Sequence, residues 1–184
     1  MKFANLESLQ KKIFDYFQTF TNLDEKSNGF GLSVDHTEKL EVASIASTGF
    51  YLSSLVIGVN QKFITFDQAF DQAKLTLNTL LNHVDKDHGF FYHFYDIKNG
   101  KRYKKNEVST IDTALCLCGV ITVASFFKGD IEILANHILD EVNWAHFIFE
   151  KNHKLYLHMA YNPDKDGDYT NGQPGFIYQW DMFA

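Results

Sequence analysis

Two carboxylates stand five residues apart where a long apolar segment begins. Glu107 and Asp112 lie in the sequence NEVSTIDTAL, which continues directly into CLCGVITVASFF. The apolar continuation predicts a helix buried in the core. Acidic side chains at the start of a buried helix indicate a structural or chemical role. If Ser109 or Thr110 caps this helix, Glu107 lies outside it in the preceding loop and Asp112 lies in its first turn.

The two positions suit different chemical tasks. A loop carboxyl that points into a cleft among apolar neighbours has a raised pKa and can donate a proton, so we expect this of Glu107. A carboxylate in the first turn is stabilised by the helix dipole and by free backbone N–H groups, so a structural role also explains Asp112. For Glu107 the alternative interpretation is an exposed loop acid.

Three further loop segments carry polar and aromatic side chains that core packing does not explain. They are NGFGLSVDH, ASTGFYL and HGFFYHFYD. A cleft walled by rings with a few carboxylates suits sugars, because sugar C–H faces stack on rings while acids and amides hold the hydroxyls. Hydrolysis of a glycosidic bond needs one protonated carboxyl for the leaving oxygen and a second group that activates water or attacks.

Five segments, in their order along the chain, resemble the glycoamylase-like family. They are GLSVDH, ASIASTGFYLSSLVIGV, HGFFYHFYD, EVSTIDTALCLCG and PGFIYQWDMFA, and together they extend from about Asn28 to Ala184. The family includes bacterial endo-β-1,2-glucanases and the related module of cyclic β-1,2-glucan synthases. Each segment alone is a modest match, but the five in order are a strong one.

The resemblance implies an (α/α)6 toroid whose inner-helix loops bind a β-1,2-linked glucan. Glu107 stands at the glutamate that is thought to act as general acid, and Asp35 at the aspartate implied to hold substrate near the reacting bond. Asp112 also matches the family, where the resemblance implies that it supports the loop that carries Glu107. Residues 90–94 resemble the family's cleft wall. His36 departs from the arginine expected after the aspartate. The residues expected to contact substrate are Asp35, Tyr51, Phe91, Tyr92, His93 and Asp112.

The resemblance leaves three functions open. The first is hydrolysis of β-1,2-glucan, in which Glu107 gives a proton to the glycosidic oxygen while water attacks the anomeric carbon. Transglycosylation is the second, with a sugar replacing water as the acceptor. The third is a carbohydrate-binding or structural remnant, for which replacement of Glu107 by glutamine would change no measurable property.

The elements that must position these residues are predicted to be five helices. Hydrophobic periodicity alternates between amphipathic helices and helices that are apolar on nearly every side. Thr65 and Gln68 form a capping box before the third helix, and Asp130 is expected to cap the fifth. Short strands are predicted in the aromatic connection before the fourth helix and in the carboxyl-terminal tail. The helices are predicted at residues 6–20, 42–59, 65–83, 110–129 and 130–144.

This alternation of helices predicts one all-α domain of residues 1–184, with inner and outer layers of αα-hairpins. Because an (α/α)6 toroid needs twelve helices, the resemblance implies a toroid that is incomplete at its carboxyl end, with the second catalytic carboxylate outside this chain. An open half toroid exposes apolar faces of its inner helices, so we expect a homo-oligomer.

Charge and segment length exclude several classes of protein. The net charge of −6 argues against a nucleic-acid partner, which would need clustered lysine and arginine. No apolar run is expected to approach the roughly 18 residues of a membrane-spanning helix. The amino terminus lacks the apolar core of a signal sequence, so export is not expected from the chain as written, although relatives are commonly exported or membrane-associated.

Motif content argues against metals and cofactors. No H-E-x-x-H, G-x-G-x-x-G or P-loop pattern is present, so we expect no catalytic metal and no nucleotide cofactor. Residues 162–173 resemble a calcium loop but have Gln173 in place of its final glutamate, which favours a polar surface turn. Cys116 and Cys118 are interpreted as two small core residues.

Overall fold

The computed structural model of the protein describes residues 6–164 and 177–179. All five predicted helices are present, and their ends differ from the predicted ones by up to a few residues. The helices are α1 (Leu6–Phe20), α2 (Ile45–Asn60), α3 (Phe66–Asn82), α4 (Thr110–Phe127) and α5 (Asp130–Glu141). About half of the described part of the chain is therefore helical, with short strands in the connections.

The strands form small antiparallel sheets between the helices. β1 pairs with β4, β2 pairs with β3 in the aromatic connection, and β7 pairs with β5, β6 and β8. A 3-10 helix at Trp144–Phe147 precedes β6. The strands are β1 (Val42–Ser44), β2 (Lys86–Asp87), β3 (Phe90–Phe91), β4 (Phe94–Asp96), β5 (Val108–Ser109), β6 (Ile148–Lys151), β7 (Lys154–Tyr161) and β8 (Ile177–Gln179).

The predicted starts of α3 and α5 have different outcomes. The capping box of α3 is confirmed: the Thr65 hydroxyl accepts a bond from the Gln68 backbone N–H at 3.3 Å, and the Gln68 side chain accepts one from the Thr65 backbone N–H. The prediction that Asp130 caps α5 is wrong. Gly129, with φ of 55°, precedes the helix, and Asp130 is its first residue and pairs with Lys74 at 2.7 Å.

Helices α2 and α4 pack side by side with their backbones in contact. A Cβ atom added to Gly49 of α2 would lie 2.5 Å from the Cα of Cys116, and one added to Gly119 of α4 would collide with the backbone oxygen of Gly49. Such an approach requires glycine on both helices. The helices α1 and α3 pack against α2, and α5 packs against α3 and α4, so the apolar helices are flanked by the amphipathic ones.

Helix α4 is long and apolar enough, by length and composition, to cross a membrane. Its 18 residues have a mean hydropathy of 1.8, so the expectation that no segment reaches this length is wrong. Half of the helix is buried inside the fold, chiefly against α2, and packing therefore explains its apolar character.

The two cysteines of α4 occupy different faces of the helix. Cys116 is fully buried, as expected, but Cys118 is exposed, so its interpretation as a core residue is wrong. Residues two apart on a helix point about 200° away from each other, which puts one on the core side when the other faces out.

The contact between the two glycines should make Gly119→Ala destabilising. At an ordinary helix position this change stabilises by about 1 kcal/mol. Here the methyl group collides with backbone, and we expect the free energy of unfolding to fall by about 1–3 kcal/mol in urea denaturation. Ser125→Ala, at an exposed position of the same helix, is the matched control and should change stability by less than about 0.5 kcal/mol. Unchanged or increased stability of Gly119→Ala would contradict the close contact.

Candidate active site

The amino-terminal ends of α2 and α4 meet at the backbone of His93. The backbone N–H of Ile45, the first residue of α2, donates to the His93 carbonyl at 3.1 Å. The backbone N–H of His93 in turn donates to the Glu107 carbonyl at 2.9 Å, just before β5 leads into α4. Both helices therefore begin at the same place and run in the same direction, which directs the positive ends of two helix dipoles at this region.

The His93 segment is held in place by buried rings on either side. Phe91 and Tyr95 are fully buried, and the Tyr95 hydroxyl donates to the Asp85 carbonyl at 2.7 Å. His93 and Phe94 are partly exposed, and their rings stack with centroids 3.7 Å apart and planes 18° from parallel. Packing thus anchors the backbone while it leaves the imidazole at the surface.

The position of Glu107 is fixed by the residue before it. The buried side chain of Asn106 accepts a bond from the Phe94 N–H and donates one to the Phe94 carbonyl, each at 2.9 Å. It also donates to the carbonyl of Tyr103 at 2.6 Å. Sequence reasoning missed Asn106, and its place directly before the candidate acid was the available signal.

An imidazole lies between two carboxyl groups at the start of α4. His93 Nδ1 is 2.8 Å from Glu107 Oε1, and His93 Nε2 is 3.7 Å from Asp112 Oδ2. The side chains of Glu107, His93 and Asp112 are 23%, 29% and 15% exposed, so solvent reaches all three. The structure thus brings together the candidate acid and two predicted substrate contacts.

The start of α4 agrees with the prediction. Ser109 caps the helix: its hydroxyl accepts a bond from the Asp112 N–H at 3.3 Å and donates one to the Asp112 carboxylate. Glu107 lies outside the helix and Asp112 lies within its first turn. The structural role considered for Asp112 is therefore present, beside its approach to His93.

The expectation of a raised pKa for Glu107 is wrong. Burial acts to raise it, but the hydrogen bond from His93, a backbone hydrogen bond and the charges of His93 and Arg102 together lower the pKa of Glu107 below its ordinary value. Burial likewise acts to lower the pKa of His93, but the hydrogen bond to Glu107 and the charges of Asp112, Glu107 and Asp35 raise it. Both shifts favour the pair in which Glu107 is a carboxylate and His93 an imidazolium.

Asp35 joins this group from the loop between α1 and β1. Its backbone N–H donates to the Val42 carbonyl at 3.0 Å, which holds it beside β1, and its side chain is 33% exposed. Its charge contributes to the raised pKa of His93. The departure at His36 places an imidazole nitrogen 3.9 Å from the Asp35 carboxylate.

Three of the predicted substrate contacts lie in the interior. Tyr51 is fully buried and its hydroxyl donates to the Gln72 side chain at 2.9 Å. Phe91 is also fully buried, and Tyr92 is 8% exposed beneath the guanidinium of Arg102, 4.4 Å from the ring centroid. We expected Tyr51 and Phe91 to line the cleft. Their rings are instead part of the hydrophobic core and present no surface to a ligand.

Arg102 connects the site to the carboxyl-terminal segment. Its Nε donates to the Asn106 carbonyl at 2.7 Å, and one terminal nitrogen donates to the Asn162 side-chain oxygen at 3.0 Å. Another pairs with the Asp164 carboxylate. These contacts involve the first residues of the calcium-like segment; residues 165–173 of that segment lie outside the described residues.

Comparison with known proteins finds similarity to a curated protein over much of the chain. No family model matches the chain. An exo-β-1,2-glucooligosaccharide sophorohydrolase acting at the non-reducing end, from Parabacteroides distasonis, is 24% identical over 136 residues. The match covers 68% of this chain, and the chain spans 19% of the relative's length.

Solved structures of the same fold extend the comparison. A Bacteroides uniformis protein assigned as a glucoamylase matches 89% of this chain with a TM-score of 0.74 and 20% identity, over 42% of its own length. The endo-β-1,2-glucanase of Chitinophaga pinensis, solved with sophorotriose and glucose, matches 85% with a TM-score of 0.70 and 18% identity, over 40% of its length. The resemblance to the glycoamylase-like family inferred from five segments is thus confirmed: the chain is similar in sequence to a β-1,2-glucooligosaccharide sophorohydrolase, and it has the fold of part of an endo-β-1,2-glucanase.

Proposed function

We propose that the chain acts on a β-1,2-linked glucan, with Glu107 as the group that protonates the glycosidic oxygen. The observation that carries this proposal is the 2.8 Å pairing of Glu107 with His93 on the partly exposed surface where α2 and α4 begin. Similarity to a β-1,2-glucooligosaccharide sophorohydrolase and to the fold of an endo-β-1,2-glucanase supports this substrate class.

The sugar is proposed to lie against the partly exposed side chains around Glu107. Carboxylates such as Asp35 and Asp112 suit sugar hydroxyls, and the Phe94 ring, partly exposed and stacked on His93, suits the C–H face of a pyranose. The proton goes from Glu107 to the leaving oxygen as the glycosidic bond breaks, and water adds to the anomeric carbon. The base that takes the proton from water is not assigned to a residue between 6 and 164.

The proposal also includes the type of helical fold. Residues 1–184 are assigned to one domain of the (α/α)6-toroid type, in which α2 and α4 are inner helices. The support is that these two apolar helices run in the same direction, in backbone contact, while the amphipathic helices pack outside them.

The proposed inner helices each expose large apolar side chains, which together are called the apolar stripe. Phe50 and Ile57 of α2 are 52% and 45% exposed, and Ile111 and Ile121 of α4 are 38% and 48% exposed. Apolar side chains that are exposed together on adjacent helices are typical of a surface that contacts another protein. We assign this surface to contact with a second copy of the chain.

Replacement of Glu107 by glutamine tests the proposed chemistry. Glu107→Gln keeps the shape and a hydrogen-bonding oxygen for His93 but removes the acid. Release of reducing ends from β-1,2-glucan should therefore fall by about 10²- to 10⁴-fold, while calorimetric titration with a β-1,2-glucooligosaccharide still detects binding.

Glu25→Gln, in the exposed turn after α1, is the matched control and should leave hydrolysis unchanged. A wild-type chain that neither binds nor cleaves β-1,2-glucan would overturn the proposed function. Full hydrolysis by Glu107→Gln would remove Glu107 from its role.

A charge placed in the apolar stripe should separate the proposed oligomer. The wild-type chain is expected to sediment as a dimer or larger species at micromolar concentration, and Ile121→Glu should shift it to the monomer because a buried unpaired carboxylate is costly. Ile133→Glu, at a 57% exposed position on α5, should remain associated. A monomeric wild-type chain would refute the assignment.

A further inference from the structure

The contacts of Glu107 disfavour the protonated form that the proposed reaction requires. The contacts of Glu107 hold its pKa below the ordinary range, whereas a donor to a glycosidic oxygen must be protonated when the bond breaks. A neighbouring group that holds a proton could supply it, and one such group lies within hydrogen-bond distance of Glu107.

His93 is placed to hold that proton. Its Nδ1 lies 2.8 Å from Glu107 Oε1, within hydrogen-bond distance, while its Nε2 faces Asp112 Oδ2 at 3.7 Å. An imidazole with a carboxylate at each nitrogen is stabilised in its doubly protonated form. Three segments supply the acidic groups that face it: the loop after α1 with Asp35, the segment before β5 with Glu107, and the first turn of α4 with Asp112.

Resting on the function proposed above, we propose that His93 is a positioning residue that stores on Nδ1 the proton that Glu107 transfers to the glycosidic oxygen. This differs from the role predicted for His93 from the sequence, which was contact with the sugar. His93 acts through Glu107, and its side chain needs no contact with the reacting atoms.

The proton transfer requires no reactant other than the glucan and water. The Nδ1 proton of His93 passes to the Glu107 carboxylate, and Glu107 delivers a proton to the leaving oxygen as the bond to the anomeric carbon breaks. His93 is then neutral and Glu107 is again a carboxylate. Water adds to the anomeric carbon and loses a proton to solvent or base, and the pair regains one proton from solvent.

The surroundings favour a proton on His93 and a charge on Glu107 between turnovers. Arg102 and the imidazolium both stabilise the Glu107 carboxylate. The backbone of His93 is bonded on both sides, to Ile45 and Glu107, and its ring is stacked on Phe94. The imidazole is therefore held in one orientation between the carboxylates, as transfer along one hydrogen bond requires.

Titration of His93 by NMR tests the storage role without any measurement of activity. The resonance of His93 is assigned as the one that disappears in His93→Gln. Its titration midpoint should lie above that of an ordinary histidine in the wild-type chain, and it should move to lower pH in Glu107→Gln and in Asp112→Asn, further in the former. Asp87→Asn, which removes the carboxylate 2.8 Å from His88 Nδ1, is the matched control and should leave the His93 midpoint unchanged.

The pH profile of hydrolysis gives a second readout that a merely structural role would not move. In His93→Gln the proton must come from solvent, so turnover near pH 7 should fall by about 10²-fold and recover as the pH is lowered towards the range where Glu107 protonates. An unchanged pH optimum in this variant would overturn the inference.

The two proposals fail in different ways. An active wild-type chain whose His93 midpoint does not respond to Glu107→Gln overturns the storage role and leaves the proposed function standing. A chain whose His93 titrates as expected but which neither binds nor cleaves β-1,2-glucan overturns the proposed function, and the transfer step falls with it.

Discussion

The backbone contact between α2 and α4 at Gly49 and Gly119 is the constraint on which the rest of the structure depends. Two helices that touch without intervening side chains have little freedom to slide or rotate, because any shift drives backbone atoms together. Their amino-terminal ends are therefore fixed relative to each other, and the His93 backbone can bond to the start of α2 and to the segment leading into α4 at once. A site assembled from separate loops gains the rigidity of the helical core.

That arrangement also explains how three carboxyl groups can share one small region. Asp35, Glu107 and Asp112 would repel one another if nothing offset their charges. The positive ends of two helix dipoles and the guanidinium of Arg102 offset these charges, and the raised pKa of His93 favours a further positive charge there. The negative charges of the three carboxyl groups are thus balanced by the positive groups around them, and His93 lies between two of these carboxyl groups.

Local signals in the sequence predicted the elements better than the site. The capping box at Thr65 and the cap before Asp112 depend on residues three apart, and both are present. Tyr51 is buried with its hydroxyl bonded to Gln72 on another helix, and no pattern within one segment reveals that contact. Most of all, the state of Glu107 depends on a histidine 14 residues earlier in the chain, so a rule based on its immediate apolar neighbours gave the wrong direction for its pKa.

The way His93 is held has a consequence for how such a protein changes over time. Its place between α2 and β5 depends on main-chain hydrogen bonds, which any residue other than proline can make at this position. The main-chain hydrogen bonds therefore do not require histidine there, whereas the balance of charge among Asp35, Glu107 and Asp112 depends on its imidazole. A single substitution at this position can therefore alter the charge of the site while the main-chain hydrogen bonds that join α2 to the segment before β5 stay in place.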